Sequence, residues 1–365
     1  MKSEVRSPKS ERMTRHIQRL QPLLALALGL ALGLAVTWIA GENPWRVLKV
    51  LARGGLGSGY DLGMTLFYAT PLIFTGLSVA LAFQAGLFNI GAEGQLMLGA
   101  LAAAAVGALW PGLPGPLAPM LAGMAALLAG TLWGAIPGWL RARRGSHEVI
   151  NTIMLNFVAA ALASYVTLYL LKNPDSQNPE TRPIGAAYLI PQFGLFGGAP
   201  VSVALPLALV AALLVWVLLW RTSLGFELRA VGQNESAARA AGIDAGRARI
   251  IALSLAGGLA GLVGVAEVLG NAGKFRVGFS PEYGFMGIAV ALLGRNQPAG
   301  VVAAALLFGA LHKGTADLDL ETERVTRELS LVLQALIILC VSAEGLWSWM
   351  KRGPLPAAPK EGFAP

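Results

Sequence analysis

Hydrophobic positions in this chain gather into long uncharged runs, not short periodic stripes. Residues 20–41 carry no charge, and neither do 62–92, 94–140, 149–171 and 199–220. A membrane-crossing helix takes about 20 mostly apolar residues. The run 94–140 therefore holds two crossings, with Pro111-Gly-Leu-Pro-Gly-Pro116 as the turn between them. Residues 250–270 make another crossing, with Glu267 near its end, and 329–347 make the last. Between these two lie shorter apolar pieces, 284–294 and 298–311, split by Arg295-Asn-Gln297. The first is too short to cross alone and reads as a half-helix. The pattern predicts an all-α, polytopic transmembrane helical bundle of about ten spans.

The polar segments divide the chain. Residues 1–19 form a basic tail, 20–347 the transmembrane domain, and 348–365 a Pro/Ala-rich tail expected to be disordered. Residues 42–61 read as a loop of mixed charge, 172–198 as a proline-bearing loop, 271–283 as a loop and 312–328 as a polar stretch. Residues 221–249 read as the only sizeable amphipathic segment after the tail. The first apolar run is longer than a signal-peptide core and ends Thr37-Trp-Ile-Ala40 without a small-residue cleavage pattern, so it reads as a retained anchor.

Composition agrees with this division. Only 13% of the 365 residues are charged and 55% are hydrophobic, against about 25% charged in soluble domains. The net charge of +8 follows from Lys and Arg gathered in one alternating set of loops, which also hold both termini. The positive-inside rule makes that side cytoplasmic. The single cysteine, Cys340, excludes an intramolecular disulfide and a multi-cysteine metal site.

One stretch breaks the hydrophobic logic: Gly86-Leu-Phe-Asn-Ile-Gly-Ala-Glu-Gly-Gln95. Glycine costs about 1 kcal/mol against alanine inside a helix, and a carboxylate at bilayer depth costs at least roughly 2.5 kcal/mol. Irregular backbone persists there only beside protein or a watery cavity. The stretch therefore reads as a broken helix along a polar path, with Asn89, Gly91, Glu93 and Gln95 as path residues. Glu93 has a second reading, capping the N-terminus of a half-helix. Asn151 and Asn156, in Asn151-Thr-Ile-Met-Leu-Asn156, supply amides either to the path or to helix–helix contacts. Gly284-Phe-Met-Gly-Ile288 echoes Gly86-Leu-Phe-Asn-Ile90. Such an echo is expected if the bundle is an inverted repeat of two halves meeting at a substrate path.

The amphipathic segment holds a short helix of little bulk. Asn234 is placed to cap it, Glu235 lies in its first turn, Ala237, Ala238, Ala240 and Ala241 form its body, and Gly242 ends it. A helix so short does not hold itself in water; it suits docking into a groove on a partner. No G-x-x-x-x-G-K-[ST] occurs, and Gly270-Asn-Ala-Gly-Lys274 runs on into Phe275, so ATP binding by this chain is not expected. The histidines His16, His147 and His312 lie far apart, with no H-E-x-x-H, which argues against a metal hydrolase.

Four motifs together resemble the permease subunits of bacterial ABC importers, in the nucleoside and simple-sugar branch related to ribose and branched-chain amino acid permeases. They are residues 86–95; Glu148-Val-Ile-Asn-Thr-Ile-Met-Leu-Asn156; Arg229-Ala-Val-Gly232 with Asn234 and Ala237-Ala-Arg-Ala-Ala-Gly-Ile243; and Gly287-Ile-Ala-Val-Ala-Leu-Leu-Gly-Arg-Asn296. They run in order over residues 69–311. Arg144-Gly-Ser-His147 is more basic than the family pattern, with no functional change attached to it. The resemblance implies a non-enzymatic subunit in the bacterial inner membrane, with both termini cytoplasmic. It implies ATP and magnesium on a separate ATPase, coupled through Arg229, Gly232, Asn234, Ala237, Ala238, Gly242 and Ile243. It also implies a second permease subunit, identical or a sister, and an extracytoplasmic binding lipoprotein that delivers the cargo. An ion-gradient-driven secondary transporter of a small polar solute is the alternative; it accommodates broken helices but leaves the alanine-rich segment without a task.

Overall fold

The computed structural model describes residues 8–322 and 328–342. The tail at 348–365 lies outside the described residues. The described residues are mostly helical: α1 (Pro8–Ile39), α2 (Pro44–Leu56), α3 (Gly59–Gln84), α4 (Ala92–Leu109), α5 (Leu117–Arg144), α6 (Glu148–Tyr165), α7 (Ala204–Arg221), α8 (Ser223–Gln233), α9 (Glu235–Ala240), α10 (Ala245–Gly261), α11 (Tyr283–Leu293), α12 (Pro298–Ala316), α13 (Leu318–Glu321) and α14 (Leu329–Ser342). Single π-helical stretches, Val166–Leu170 and Val265–Ala272, prolong α6 and α10. Among the described residues, seven helices are long and apolar enough to cross a membrane, and Leu24–Ile39, Tyr283–Leu293 and Leu331–Cys340 are shorter apolar helices. These ten match the apolar runs of the sequence.

Three expectations need correction. The 42–61 loop is mostly helix: Asn43 caps α2 by accepting the Trp45 N–H, Gly54 and Gly55 lie against α12, and Val47, Val50 and Leu51 pack with Leu318, Leu329 and Leu333 of α13 and α14. Arg46, Lys49 and Arg53 hid these buried positions from a reading by charge. There are thus two amphipathic segments after the tail, not one. At the start of the chain, α1 begins at Pro8, inside the basic tail. Lastly, α12 continues to Ala316, into the stretch read as polar.

The centre of the bundle is α3. Residues 69–82 are buried all round, as a helix apolar on every face requires; α12, α11, α10 and α7 surround it. A second close group is α4, α5 and α10. A Cβ on Gly130 would stand 2.2 Å from the Gly257 carbonyl oxygen, and one on Gly99 would stand 2.4 Å from the Gly261 Cα. Small residues let backbones approach in membranes, where apolar burial between helices gains little. The sides of α5, α6 and α7 carry exposed Leu128, Leu132, Phe157, Val158, Leu213 and Leu214, an apolar rim suited to lipid.

At the end opposite α8 and α9, the 172–203 loop folds down onto 269–276. The Thr181 N–H donates to the Phe275 carbonyl at 2.9 Å and the Ile184 N–H to the Gly273 carbonyl at 2.8 Å. Lys274 Nζ reaches Glu180 Oε1 at 2.8 Å. That ammonium holds the Glu180 carboxyl below the usual glutamate range.

Candidate functional site: a broken segment wired to a short helix

The polar stretch lies where α3 stops and α4 begins. Residues 85–91 are turn and irregular backbone, with Gly86 at φ +70°. Within it Asn89 is fully buried and Gln95 nearly so. They form a reciprocal amide pair: Asn89 Nδ2 donates to Gln95 Oε1 at 2.8 Å, and Gln95 Nε2 donates to Asn89 Oδ1 at 3.1 Å. The second Asn89 N–H reaches Ser78 Oγ at 3.1 Å. Asn156 braces the same segment from α6. Its Oδ1 accepts the Gly94 N–H at 2.9 Å and its Nδ2 donates to the Ile90 carbonyl at 2.9 Å. A helix break strands backbone donors and acceptors at membrane depth, and one side-chain amide here satisfies one of each. Gly91 is buried against Thr152, Asn89 and Gln95. Asn151 stands apart: half-buried, it donates to Ser146 Oγ at 2.7 Å.

Glu93 reaches across the fold. Its Oε2 accepts the Gly284 N–H at 2.7 Å, while the Tyr283 N–H donates to Ser280 Oγ at 3.0 Å. Both N–H groups belong to the first turn of α11, whose positive end favours an anion. Gly284 is required there, since a Cβ would fall 2.3 Å from the Glu93 backbone nitrogen. The α11 helix has 11 residues, roughly 16 Å of rise, about half the hydrocarbon thickness. At its far end Arg295 and Asn296 turn the chain with φ of 56° and 54°, and Gln84 Nε2 donates to the Asn296 carbonyl at 3.0 Å. The last residue of α3, where the first break (85–91) opens, therefore touches the second break, 294–297. Gly86–Ile90 falls in the first break, whereas Gly284–Ile288 lies within α11.

Glu267, near the end of its crossing, is buried in the π-helical stretch, where Asn271 Nδ2 approaches its Oε2 at 3.4 Å.

The short helix forms as its residues dictate. Asn234 Oδ1 accepts the Ala237 N–H at 3.0 Å, and Gly242 follows the helix at φ +83°. Glu235 pairs with Arg239 at 2.7 Å and with Arg249. Burial pushes the Glu235 carboxyl up, but the two guanidiniums outweigh it and hold the group below its ordinary value. Arg229 Nε donates to the Leu219 carbonyl at 3.0 Å and its guanidinium lies over the Trp220 ring. Ala237 is exposed, Ala238 buried and Ile243 half-buried. A groove of ≈ 340 Å³ opens along Phe226, Arg229, Asn234, Ala237, Ala241 and Ile243.

The two regions meet at Gly232. A Cβ there would lie 2.3 Å from the Gln84 carbonyl oxygen and 2.7 Å from the Gly86 nitrogen. The end of α8 thus presses backbone to backbone on the start of the break. Sequence reasoning named Gly86 and Gly232 separately, and nothing local to either signals their contact. Among the described residues no group of three or more His, Cys, Asp and Glu side chains is placed to hold a metal ion.

The family model described as "Branched-chain amino acid transport system / permease component" matches residues 62–342. The chain is 38% identical to the guanosine ABC transporter permease protein NupP of Bacillus subtilis, over 89% of this chain and 93% of that one. It is 38% identical to the glucose ABC transporter permease protein TsgB13 of Haloferax volcanii, over 87% and 85%. It is 34% identical to the nucleoside ABC transporter permease protein NupB of Lactococcus lactis, over 89% and 91%.

Proposed function

Since the chain belongs to the branched-chain amino acid transport system / permease component family and is a multi-pass permease subunit of an ABC transporter, we propose that it carries nucleosides or simple sugars inward through a bacterial inner membrane. The nucleoside and glucose permeases it resembles support that cargo class. The family gives the gradient-driven alternative no supporting observation.

We further propose that α8 and α9 take up the stroke of a separate ATPase, which holds the ATP and magnesium. The observation that carries this reading is the Gly232 contact with Gln84 and Gly86. A partner seated in the groove beside Ala237 would push α8 as a rigid body, and that push arrives at the one irregular stretch between α3 and α4. Helix shifts of an ångström or two suffice to switch packed interfaces. The remaining partners are a second permease subunit, identical or a sister, and an extracytoplasmic binding lipoprotein. Both termini are proposed to be cytoplasmic, the side that the positive-inside rule favours. Asn89, Gly91, Glu93, Gln95, Asn151 and Asn156 are proposed to shape the path; the hydrogen bonds of Asn89, Gln95 and Asn156 favour holding its wall over direct cargo contact.

The test is uptake of labelled guanosine and labelled glucose by proteoliposomes carrying the whole transporter with its receptor. Uptake of either that requires ATP and survives collapse of ion gradients is expected. Uptake that needs a gradient and no ATP would overturn the reading.

A further inference from the structure

A cavity of ≈ 470 Å³ lies where the start of α11 faces α3 and the last turns of α12, within the usual range of about 300–1,000 Å³ for small-molecule sites. Tyr68, Pro281, Glu282, Met286, His312 and Thr315 line it. It sits on the side of α11 away from α8 and α9, next to the N-terminal turn that Glu93 caps.

The lining has a definite character. The Tyr68 and His312 rings meet edge to face, with centroids 4.4 Å apart and planes at 61°. Together they make an angled aromatic wall. Met286 is a buried thioether on the α11 side, and sulfur adapts well to ring edges. Thr315 turns its hydroxyl into its own helix, donating to the Leu311 and His312 carbonyls at 2.8 and 3.0 Å, so its donor is spent. Glu282 is exposed and held in the left-handed region at φ 63°. A bulky residue is strained there, and strain of this kind clusters at ligand clamps.

Resting on the reading of this chain as a permease for nucleosides or simple sugars, we infer that this cavity is a seat for the cargo ring and that its chemistry suits a nucleoside over a hexose. A nucleobase brings a flat apolar face for the Tyr68–His312 wall and an edge for Met286. Ribose hydroxyls donate to the Glu282 carboxylate. A hexose has no comparable flat face to lay on the Tyr68–His312 wall. Stacking tolerates different bases, because every base has a π-face. Holding by one aromatic wall and the two exposed carboxylates, Glu282 and Glu328, is also weak enough for release, which a transport site requires.

The experiment compares wild type with Tyr68→Ala, Tyr68→Phe and Ala316→Phe in the complete transporter, reading KM and maximal rate for labelled guanosine and glucose. Ala316 is exposed and lines the same cavity, so a larger side chain there fills space without disturbing a packed contact. Tyr68→Ala is expected to raise the guanosine KM on the order of tenfold, the effect of losing one stacking partner, while Tyr68→Phe stays within about twofold. Ala316→Phe is expected to lower guanosine uptake with assembly unchanged, and it carries the test if Tyr68→Ala fails to assemble. Guanosine KM values unchanged in both Tyr68→Ala and Ala316→Phe, or a loss confined to glucose, would overturn the inference. A wild-type transporter that moves neither compound would instead remove the cargo reading on which it rests.

Discussion

Asn89 and Gln95 look from the sequence like free amides in a conduit, yet they pair with each other, and Asn89 also donates to Ser78. Removing one amide leaves the other buried and unpaired, at a cost of about 1–3 kcal/mol. Removing both removes the debt, so the double change should cost clearly less than the sum. Thermal unfolding of the detergent-solubilised chain in Asn89→Ala, Gln95→Ala and the double variant measures this; additive losses would mean the pair is not coupled. Asn156 follows the same logic, since Asn156→Leu strands the Gly94 N–H and the Ile90 carbonyl. That variant should be destabilised by at least about 2 kcal/mol, with uptake per assembled transporter largely kept. The sequence announced these residues as exceptional because polar groups stand out in apolar runs. It was silent about their partners, because Asn156 lies 62 residues from Gly94 and Glu93 lies 191 residues from Gly284. Tyr68 and His312 carried no signal at all, being single aromatic residues on separate helices.

Among the elements, the apolar runs translated directly into helices, and the short run 284–294 into a half-helix of 11 residues. What failed was α2, whose buried positions recur at helical spacing but are interleaved with three cations. The short α9 was legible because its cap, alanines and terminal glycine are all local signals. Asn234→Ala should weaken it by about 0.5–2 kcal/mol, the ordinary worth of such a cap, and lower ATPase copurification while membrane insertion stays normal. Full copurification would separate the cap from docking. The loop element at the opposite end is tied by Lys274 and Glu180. Because the folded Glu180 carboxyl titrates below its ordinary range, the tie is fully present above that range and is lost as pH falls through the lowered value. Protease protection of the 172–203 loop should therefore persist at pH 7 and fade in acid below about pH 4. Glu180→Gln should be less protected at pH 7 and show a weaker acid effect.

At the scale of the molecule, the half-helix, the two breaks and the α8 contact form one continuous line. It runs from the groove beside Ala237 to the cavity beside Tyr68. The hydrogen bonds explain how its irregular backbone survives in lipid. The most direct test of the central claim, that force enters at α9, is cysteine cross-linking in the assembled transporter. The chain has one natural cysteine, Cys340, which is buried, so Ala237→Cys in a Cys340→Ser background gives a single exposed thiol. The expected result is a permease–ATPase adduct through residue 237 in a transporter that still imports its cargo. A transport-competent complex whose residue 237 never cross-links to the ATPase, and is labelled freely by a water-soluble maleimide, would contradict the account.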